Sequence, residues 1–301
     1  MRRAGRAGGG RGRTSAGWGA GVRAMTYNIK NGGRDGADPG RLDRVLQVVA
    51  EQRPDVLALQ ELRGLRRDRD RLDTLTRRLG MRAYLAGGWF GQPVAILVRP
   101  PVEVVAVAPV RRPFHHGAQR VVLATDRGPL TVLGTHLNPY SGRRRLREAG
   151  WLVGAAGRGG PDRRQLPERL VLLMGDLNTL DPLDRHDERI GRLSPEYRGR
   201  HLMPDGVTVD SRAVGALYRA GFVDLFRSPG TDTPPDRAEP PRTVPTSAGG
   251  GAEFTAMRLD YLLGTPPLAR LAHHPRVVTG GAAESASDHY PVVVEFDLRS
   301  G

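Results

Sequence analysis

The chain has 301 residues, a formal net charge of +14 at pH 7 and no cysteine. Without cysteine it has no disulfide framework, no thiolate zinc site and no cysteine nucleophile. The first 24 residues lack the apolar run of a secretory signal, and no segment approaches the roughly 20 apolar residues that cross a bilayer. We therefore expect a cytoplasmic protein with no stable membrane insertion.

The positive charge is carried almost entirely by arginine, since Lys30 is the only lysine. Two explanations stay open. One is a compositional bias of the genome toward Arg, Ala, Gly and Pro. The other is a positive field that attracts phosphate-bearing substrates, nucleic acid or an anionic membrane.

Domain organisation follows from where apolar residues occur. Residues 1–21 are rich in Arg and Gly and cannot bury enough apolar surface to offset their ordering entropy, so they are predicted to form a disordered tail. Residues 22–301 are long enough to bury a full core and are predicted to form one domain. We expect it to be a monomer.

The first half of the chain alternates between the periods of strands and helices. Helices are predicted over residues 39–52, 67–79 and 142–156. Strands are predicted over residues 22–28, 55–60, 93–98, 102–108, 120–125, 130–136 and 169–176. The strands 120–125 and 130–136 are separated by a short turn, which is typical of a hairpin.

The second half has weaker signals. Residues 181–208 show no clear period, and residues 228–251 are predicted to form a loop rich in Pro and Gly. A helix is predicted over residues 211–221, and strands over residues 222–226, 257–263, 275–279 and 290–298. Helices interspersed with single strands and hairpins predict an α/β sandwich of mixed sheets.

Polar side chains recur near the ends of these apolar strands. They are Asn28, Gln60, Glu61, His136, Asp176, Asn178, Asp260, Asp288 and His289. Each has an ordinary structural explanation as a turn former, a helix cap or a buried imidazole. Their joint occurrence instead indicates a site at one end of the sheets.

The residue types in this set indicate a particular chemistry. Carboxylate and amide oxygens without cysteine suit a hard cation, Mg²⁺ or alternatively Mn²⁺. A histidine beside them can donate to a phosphoryl oxygen or act as a base toward water, and a neighbouring carboxylate fixes its tautomer. These are the parts needed to hydrolyse a phosphate ester.

Six short motifs carry a family resemblance. In chain order they are TYNI, LQE, THL, GDLN, RLDYLL and SDHYPV. The set resembles the endonuclease/exonuclease/phosphatase superfamily over residues 22–298. Its members include pancreatic-type deoxyribonucleases, apurinic endonucleases, sphingomyelinases and inositol polyphosphate 5-phosphatases. The resemblance implies a four-layer α/β/β/α sandwich of two mixed β-sheets flanked by helices, with the site at one rim of the paired sheets.

The resemblance also implies metal ligands. Glu61 would be the principal ligand, with Asp288 and Asn28 near the same ion. Lys30 departs from the pattern of the apurinic endonucleases, which carry an aspartate there, and could contact a substrate phosphate or be solvated. Those enzymes also lack a histidine at the position of His136. Both departures favour the deoxyribonuclease, sphingomyelinase and phosphatase branches.

Catalytic roles are implied in the same way. Asp176 and Asn178 would orient or deprotonate the attacking water and contact the phosphate. His289 would be held by Asp260 as a dyad, as base or as transition-state donor, and His136 would be a second phosphate-facing histidine.

Three further features give weaker indications of function. His115 and His116 are predicted to lie in a loop rather than to form a metal pair. Residues 243–246, TVPT, are a hint of a substrate-facing loop, and Asp224 is predicted to cap or pack locally.

The functional prediction is a Mg²⁺-dependent phosphoesterase, most simply a phosphodiesterase. Nucleic acid, a phospholipid headgroup and a soluble phosphate ester all remain candidate substrates. The alternative is a non-catalytic module that binds phosphate or nucleic acid on the same fold.

Overall fold

The computed structural model describes residues 21–34, 36, 38–157, 166, 168–228 and 240–299. The predicted Arg/Gly-rich tail lies outside the described residues save for Gly21, and so does the segment 229–239 of the predicted long loop. Within the described part, no helix is both long and apolar enough to span a membrane.

The described residues form two six-stranded sheets. The strands are β1 (Val22–Asn28), β2 (Val56–Gln60), β3 (Arg82–Ala86), β4 (Val94–Val98), β5 (Val104–Pro109), β6 (Gly117–Leu123), β7 (Leu130–His136), β8 (Val171–Asp176), β9 (Val223–Asp224), β10 (Asp260–Gly264), β11 (Ala272–Val277) and β12 (Val292–Phe296). The first sheet has the order β11-β12-β1-β2-β4-β3 and the second β5-β6-β7-β8-β10-β9. The pairs β1/β2 and β7/β8 are parallel and the other pairs antiparallel, so both sheets are mixed.

Helices lie between the strands along the chain. They are α1 (Lys30–Gly33), α2 (Arg41–Gln52), α3 (Arg69–Leu79), α4 (Gly142–Ala156), α5 (Asp187–Arg192), α6 (Pro195–Arg198), α7 (Arg212–Arg219), α8 (Pro266–Ala269) and α9 (Ala283–Ala286). The element α1 is a left-handed turn rather than a regular helix, because all four of its residues have positive φ.

Three apolar layers hold the molecule together. The inner faces of the two sheets pack against each other through residues such as Ala24, Val132 and Met174. Helices α2 and α3 cover the outer face of the first sheet, and α4 and α7 cover that of the second. The predicted four-layer α/β/β/α sandwich is confirmed.

Element boundaries differ from the predictions in a few places. Strand β3 was not predicted, because its sequence is only partly buried and carries no clear alternation. Strand β10 begins at Asp260, three residues later than predicted, because Met257 instead bridges to Val244 in the preceding loop. The segment without a clear period contains the short helices α5 and α6.

Strand alternation explains why polar residues meet between the sheets. Successive side chains of a strand point to opposite faces, so residues two or four apart share a face. Asn28 lies four residues after the inward-facing Ala24 on β1 and therefore points to the same face. Asp176 lies two residues after the inward-facing Met174 on β8 and does the same. Both polar side chains therefore lie on the inner faces, where the sandwich opens at its rim.

Candidate active site

The strand registers place three site residues in one row. His136 at the end of β7 pairs with Asp176 at the end of β8, and Asp176 pairs with Asp260 at the start of β10. Directly opposed residues on neighbouring strands have Cβ atoms about 5 Å apart, so these side chains are forced together. All three are at most 2% exposed. Gly175 permits the close approach of β8 to β7, since a Cβ there would lie 2.0 Å from the Thr135 carbonyl oxygen.

His289 and Asp260 form the predicted dyad. The Nδ1 atom of His289 lies 2.8 Å from Asp260 Oδ2, and its Nε2 lies 3.7 Å from Asp176 Oδ2. Burial lowers the pKa of His289, but the negative charges of Asp260 and Asp176 outweigh burial and raise that pKa to about 10. Burial raises the pKa of Asp176, and the nearby Asp260 carboxylate acts in the same direction.

The loop of residues 243–246 supports the dyad from behind. Thr243 Oγ1 accepts hydrogen bonds from the backbone N–H groups of Leu259 and Asp260, at 3.0 and 3.2 Å. Thr246 donates to the carbonyl of Ser287 at 2.6 Å. Both threonines are buried. The loop therefore positions the strand ends, and its contact with substrate stays a prediction.

Glu61 is held at the site by three donors. Its carboxylate accepts from Asn28 Nδ2 at 3.3 Å, the Asn31 backbone N–H at 3.0 Å and Gln92 Nε2 at 2.9 Å. Glu61 follows β2 with a left-handed backbone, φ 60°. Non-glycine residues hold this conformation at a cost, and it recurs where a side chain must be aimed into a site.

Lys30 and Asp288 form an ion pair beside Glu61. The ammonium lies 2.8 Å from Asp288 Oδ2, and the carboxylate is 5% exposed. Burial acts against ionisation of both groups, yet the mutual contact raises the pKa of Lys30, while His289 and Lys30 lower the pKa of Asp288. The Lys30 side chain is 36% exposed and ion-paired, so it is partly solvated, and its contact with a substrate phosphate stays a prediction.

His136 is held in its neutral form. Its Nε2 lies 2.8 Å from Asn178 Nδ2, which also donates to the Leu137 carbonyl at 3.1 Å. The same Nε2 lies 3.3 Å from Asp176 Oδ2, and the buried Nδ1 has no hydrogen-bond partner among the described residues. Burial lowers the pKa of His136 far below its ordinary value, and the neighbouring His116 and His289 lower it further.

His116 is a site residue that the sequence analysis assigned only to a loop. The ring of His116 stacks on that of His136, with centroids 3.8 Å apart, and its Nδ1 accepts from the Gln92 backbone N–H at 2.9 Å. Burial lowers the pKa of His116 to about 3. His116 does lie in a loop, as predicted, but the hairpin register could have placed it here, because Gly117 pairs with His136.

Two groups of donors could hold a divalent cation. Asp176, Asp260 and His289 have ligand atoms within 4.8 Å of one another. His289 and Asp260 already satisfy each other at 2.8 Å, however, which identifies them as a hydrogen-bonded dyad. Glu61, Asp288 and the Asn28 amide supply only oxygen donors, the preference of Mg²⁺. The donors of this second set match a hard cation in type, and the Lys30 ammonium contacts the Asp288 carboxylate in this structure.

Most of the predicted site residues line one cavity of about 280 Å³. Residues lining it include Glu61, His136, Asp176, Asn178, Asp288 and His289. Asn28 and Asp260 lie directly behind, each hydrogen-bonded to a lining residue. The eight predicted site residues therefore converge. The ring of Phe254, also missed from the sequence, meets His289 edge-on at 5.5 Å.

The structure is an α/β/β/α sandwich of two mixed sheets with carboxylates, amides and histidines gathered at its rim. The chain belongs to the Endonuclease/Exonuclease/phosphatase family, whose model matches residues 25–289. Proteins of this family are generally metal-dependent hydrolases of phosphoesters. No curated protein matches the chain in sequence.

Solved structures share the fold at low sequence identity. An AP endonuclease from Archaeoglobus fulgidus is 22% identical with a TM-score of 0.66, covering 92% of this chain and 100% of its own. A family protein from Bacteroides thetaiotaomicron is 18% identical with a TM-score of 0.61, covering 92% and 98%. Truncated TDP2 from Caenorhabditis elegans is 20% identical with a TM-score of 0.58, again covering 92% and 98%. These likenesses show the fold alone.

Proposed function

We propose that the protein is a Mg²⁺-dependent phosphodiesterase. The observation that carries the proposal is the convergence of Glu61, Asp288, Asp176, Asn178 and the His289–Asp260 dyad on one small cavity. A binding module needs positive donors for phosphate, whereas this cavity also holds carboxylates that would repel a phosphate unless a cation lies between them.

The proposed cation site consists of Glu61, Asp288 and the Asn28 amide. Mg²⁺ bound there would supply Lewis-acid neutralisation of the phosphoryl charge. The protein holds Glu61 ready through its three donors, and Lys30 keeps the Asp288 carboxylate ionised inside a buried site. Mn²⁺ is the alternative cation, because it accepts the same oxygen ligands.

His289 is proposed to donate a proton or hydrogen bond to a phosphoryl oxygen. Asp260 binds Nδ1 and leaves Nε2 as the atom that faces the cavity near Asp176. The raised pKa of His289 favours its charged form, which stabilises negative charge as it develops on the phosphoryl group. This supports a donor rather than a base.

Asp176 and Asn178 are proposed to orient the attacking water. The Asp176 carboxylate is fixed by Asn28 Nδ2 at 3.0 Å and by the Asn178 backbone N–H at 2.8 Å. Its raised pKa brings it closer to the range in which a carboxylate can accept a proton near neutral pH. His136, neutral and anchored by Asn178, closes the wall of the cavity beside it.

A generic diester tests the proposal. Purified protein is assayed with bis(p-nitrophenyl) phosphate and MgCl₂, with and without EDTA, and we expect hydrolysis that EDTA abolishes. His289→Ala should lose this turnover. His273→Ala should keep it, because His273 lies on edge strand β11 of the first sheet and does not line the active-site cavity. Binding of inorganic phosphate without any hydrolysis would establish the non-catalytic module instead.

A further inference from the structure

A groove next to the cavity carries a row of aromatic rings and a row of arginines. We call it the stacking groove and define it by the rings of Trp89, Phe90, His115 and Tyr140 together with Arg63, Arg66 and Arg67. Its central cavity has a volume of about 790 Å³, and none of the residues that line it is acidic. Gln92, His116 and Tyr140 line both this cavity and the active-site cavity, so the two are continuous.

The loop between β3 and β4 holds two rings out in solvent. Trp89 is 70% exposed and Phe90 is 68% exposed. Their backbone is nevertheless anchored, since the Trp89 N–H donates to the Phe114 carbonyl at 3.0 Å and the Phe90 N–H donates to the His115 carbonyl at 3.1 Å. An ordered backbone that exposes two large apolar rings marks a surface that a ligand covers.

The rings follow one another from the solvent toward the site. Ring centroids of Trp89 and Phe90 are 6.4 Å apart, those of Phe90 and His115 are 6.2 Å apart, and those of His115 and Tyr140 are 5.6 Å apart. Tyr140, the last of the row, is 61% exposed and borders the active-site cavity. Four ring-bearing side chains at similar spacing therefore lead to the catalytic groups.

Positive charge accompanies the rings along their whole length. The Arg144 guanidinium lies 6.0 Å from the Phe90 ring centroid, and that of Arg200 lies 5.4 Å from the Tyr140 centroid. Arg111 and Arg112 line the cavity of about 500 Å³ on the far side of Trp89. Nucleic acid is complementary to both features. Its phosphates can pair with the guanidinium groups, and its bases can stack on the rings.

We propose that the stacking groove binds single-stranded nucleic acid and leads its backbone into the catalytic cavity. Binding in the groove is independent of catalysis. Cleavage of the bound strand rests on the proposed phosphodiesterase function, for which this inference names the substrate class. Duplex nucleic acid fits less well, because its bases are already stacked on their neighbours and offer no free faces to the rings. A membrane surface fits less well, because Phe90, His115 and Tyr140 line a concave groove that continues into the active-site cavity, where a planar bilayer does not follow.

The test is equilibrium binding without turnover. Fluorescence anisotropy of labelled dT20 in EDTA measures the affinity of the wild type and of a Trp89→Ala/Phe90→Ala variant. Stacking on an aromatic side chain stabilises each bound base by about 1–3 kcal/mol, so the variant should bind at least about tenfold more weakly. Val207→Ala removes a large apolar side chain that is 81% exposed and lines none of these cavities, and should keep the wild-type affinity.

Three outcomes would overturn the inference. They are an unchanged dT20 affinity in the double variant, an equal loss in Val207→Ala, and a ring-dependent affinity for phosphatidylserine vesicles in place of dT20. Circular dichroism of the double variant confirms that it folds, as expected for two exposed side chains. Because binding is measured in EDTA, ring-dependent dT20 binding without hydrolysis of bis(p-nitrophenyl) phosphate would leave the groove intact and overturn only the proposed catalysis.

Discussion

Asn28 on the first sheet donates a hydrogen bond to Asp176 on the second, with Nδ2 and Oδ2 3.0 Å apart. The two residues are 148 positions apart in the chain and both are buried. The same amide group donates to Glu61, so one side chain connects the proposed cation site with the proposed water-orienting carboxylate. Alignment of the two sheets at the rim therefore determines the geometry of the whole site.

Replacing Asn28 tests this connection through stability. Asn28→Ala removes two donors and leaves the Asp176 and Glu61 carboxylates with fewer partners, which should lower the free energy of unfolding by about 1–3 kcal/mol. Urea denaturation measures the change. Gln47→Ala, which removes an exposed hydrogen bond to Glu51 on α2, should change it by less than about 0.5 kcal/mol. Equal effects of the two substitutions would contradict the connection.

The dyad is tested by kinetics. His289→Ala should lower kcat on bis(p-nitrophenyl) phosphate by about 10²-fold or more, because it removes the proposed charged donor to the phosphoryl group. Asp260→Asn should lower kcat as well, since the amide cannot supply the charge that keeps His289 protonated. If His289→Ala kept full turnover, the role assigned to His289 would be wrong.

The cation site is tested by direct binding. Glu61→Gln removes the negative charge of the proposed principal ligand, so Mn²⁺ binding followed by electron paramagnetic resonance should weaken by at least about tenfold. Glu51→Gln makes the same chemical change on the exposed face of α2 and should bind Mn²⁺ as the wild type does. Retention of wild-type affinity in Glu61→Gln would place the ion elsewhere, with the Asp176, Asp260 and His289 group as the next candidate.

A buried ion network outside the site should be important for stability. Arg258 contacts Asp224 at 2.5 Å, Asp181 at 2.6 Å and Asp184 at 3.3 Å, and all four side chains are at most 3% exposed. Arg258→Leu leaves three buried carboxylates without this partner and should cost about 3–5 kcal/mol in urea denaturation. Arg192→Leu breaks a solvent-exposed pair with Glu188 and should cost less than about 1 kcal/mol.

His201 should make stability fall in acid. Burial lowers the pKa of His201 to about 3, whereas an unfolded histidine titrates near its ordinary value of 6.5. Below pH 6.5 the unfolded state therefore takes up a proton that the folded state does not, and the folded state loses stability as the pH falls. From pH 7.5 to pH 5 the free energy of unfolding of the wild type should therefore fall by about 2 kcal/mol more than that of the His201→Gln variant. Urea denaturation at both pH values measures these free energies. An equal loss in the wild type and in His201→Gln would contradict the role of His201.

The amino-acid sequence by itself determined most of the strands and the residues of the proposed site. Alternation and apolar runs located eleven of the twelve described strands, and the polar residues that end them included all eight residues that converge. This succeeded because the direction of a side chain along a strand follows from local geometry alone. Strand β3 was missed because its side chains are only partly buried, so its pattern is weak.

Only the tertiary structure decided which of these residues touch. The contact of Lys30 with Asp288, the stacking of His116 on His136 and the three donors on Glu61 depend on registers between segments distant in the chain. The row of rings likewise joins residues of three separate loops. Pairing across long connections is selected by the packing of the whole core, and charged side chains then settle on whichever opposite charge that packing brings near.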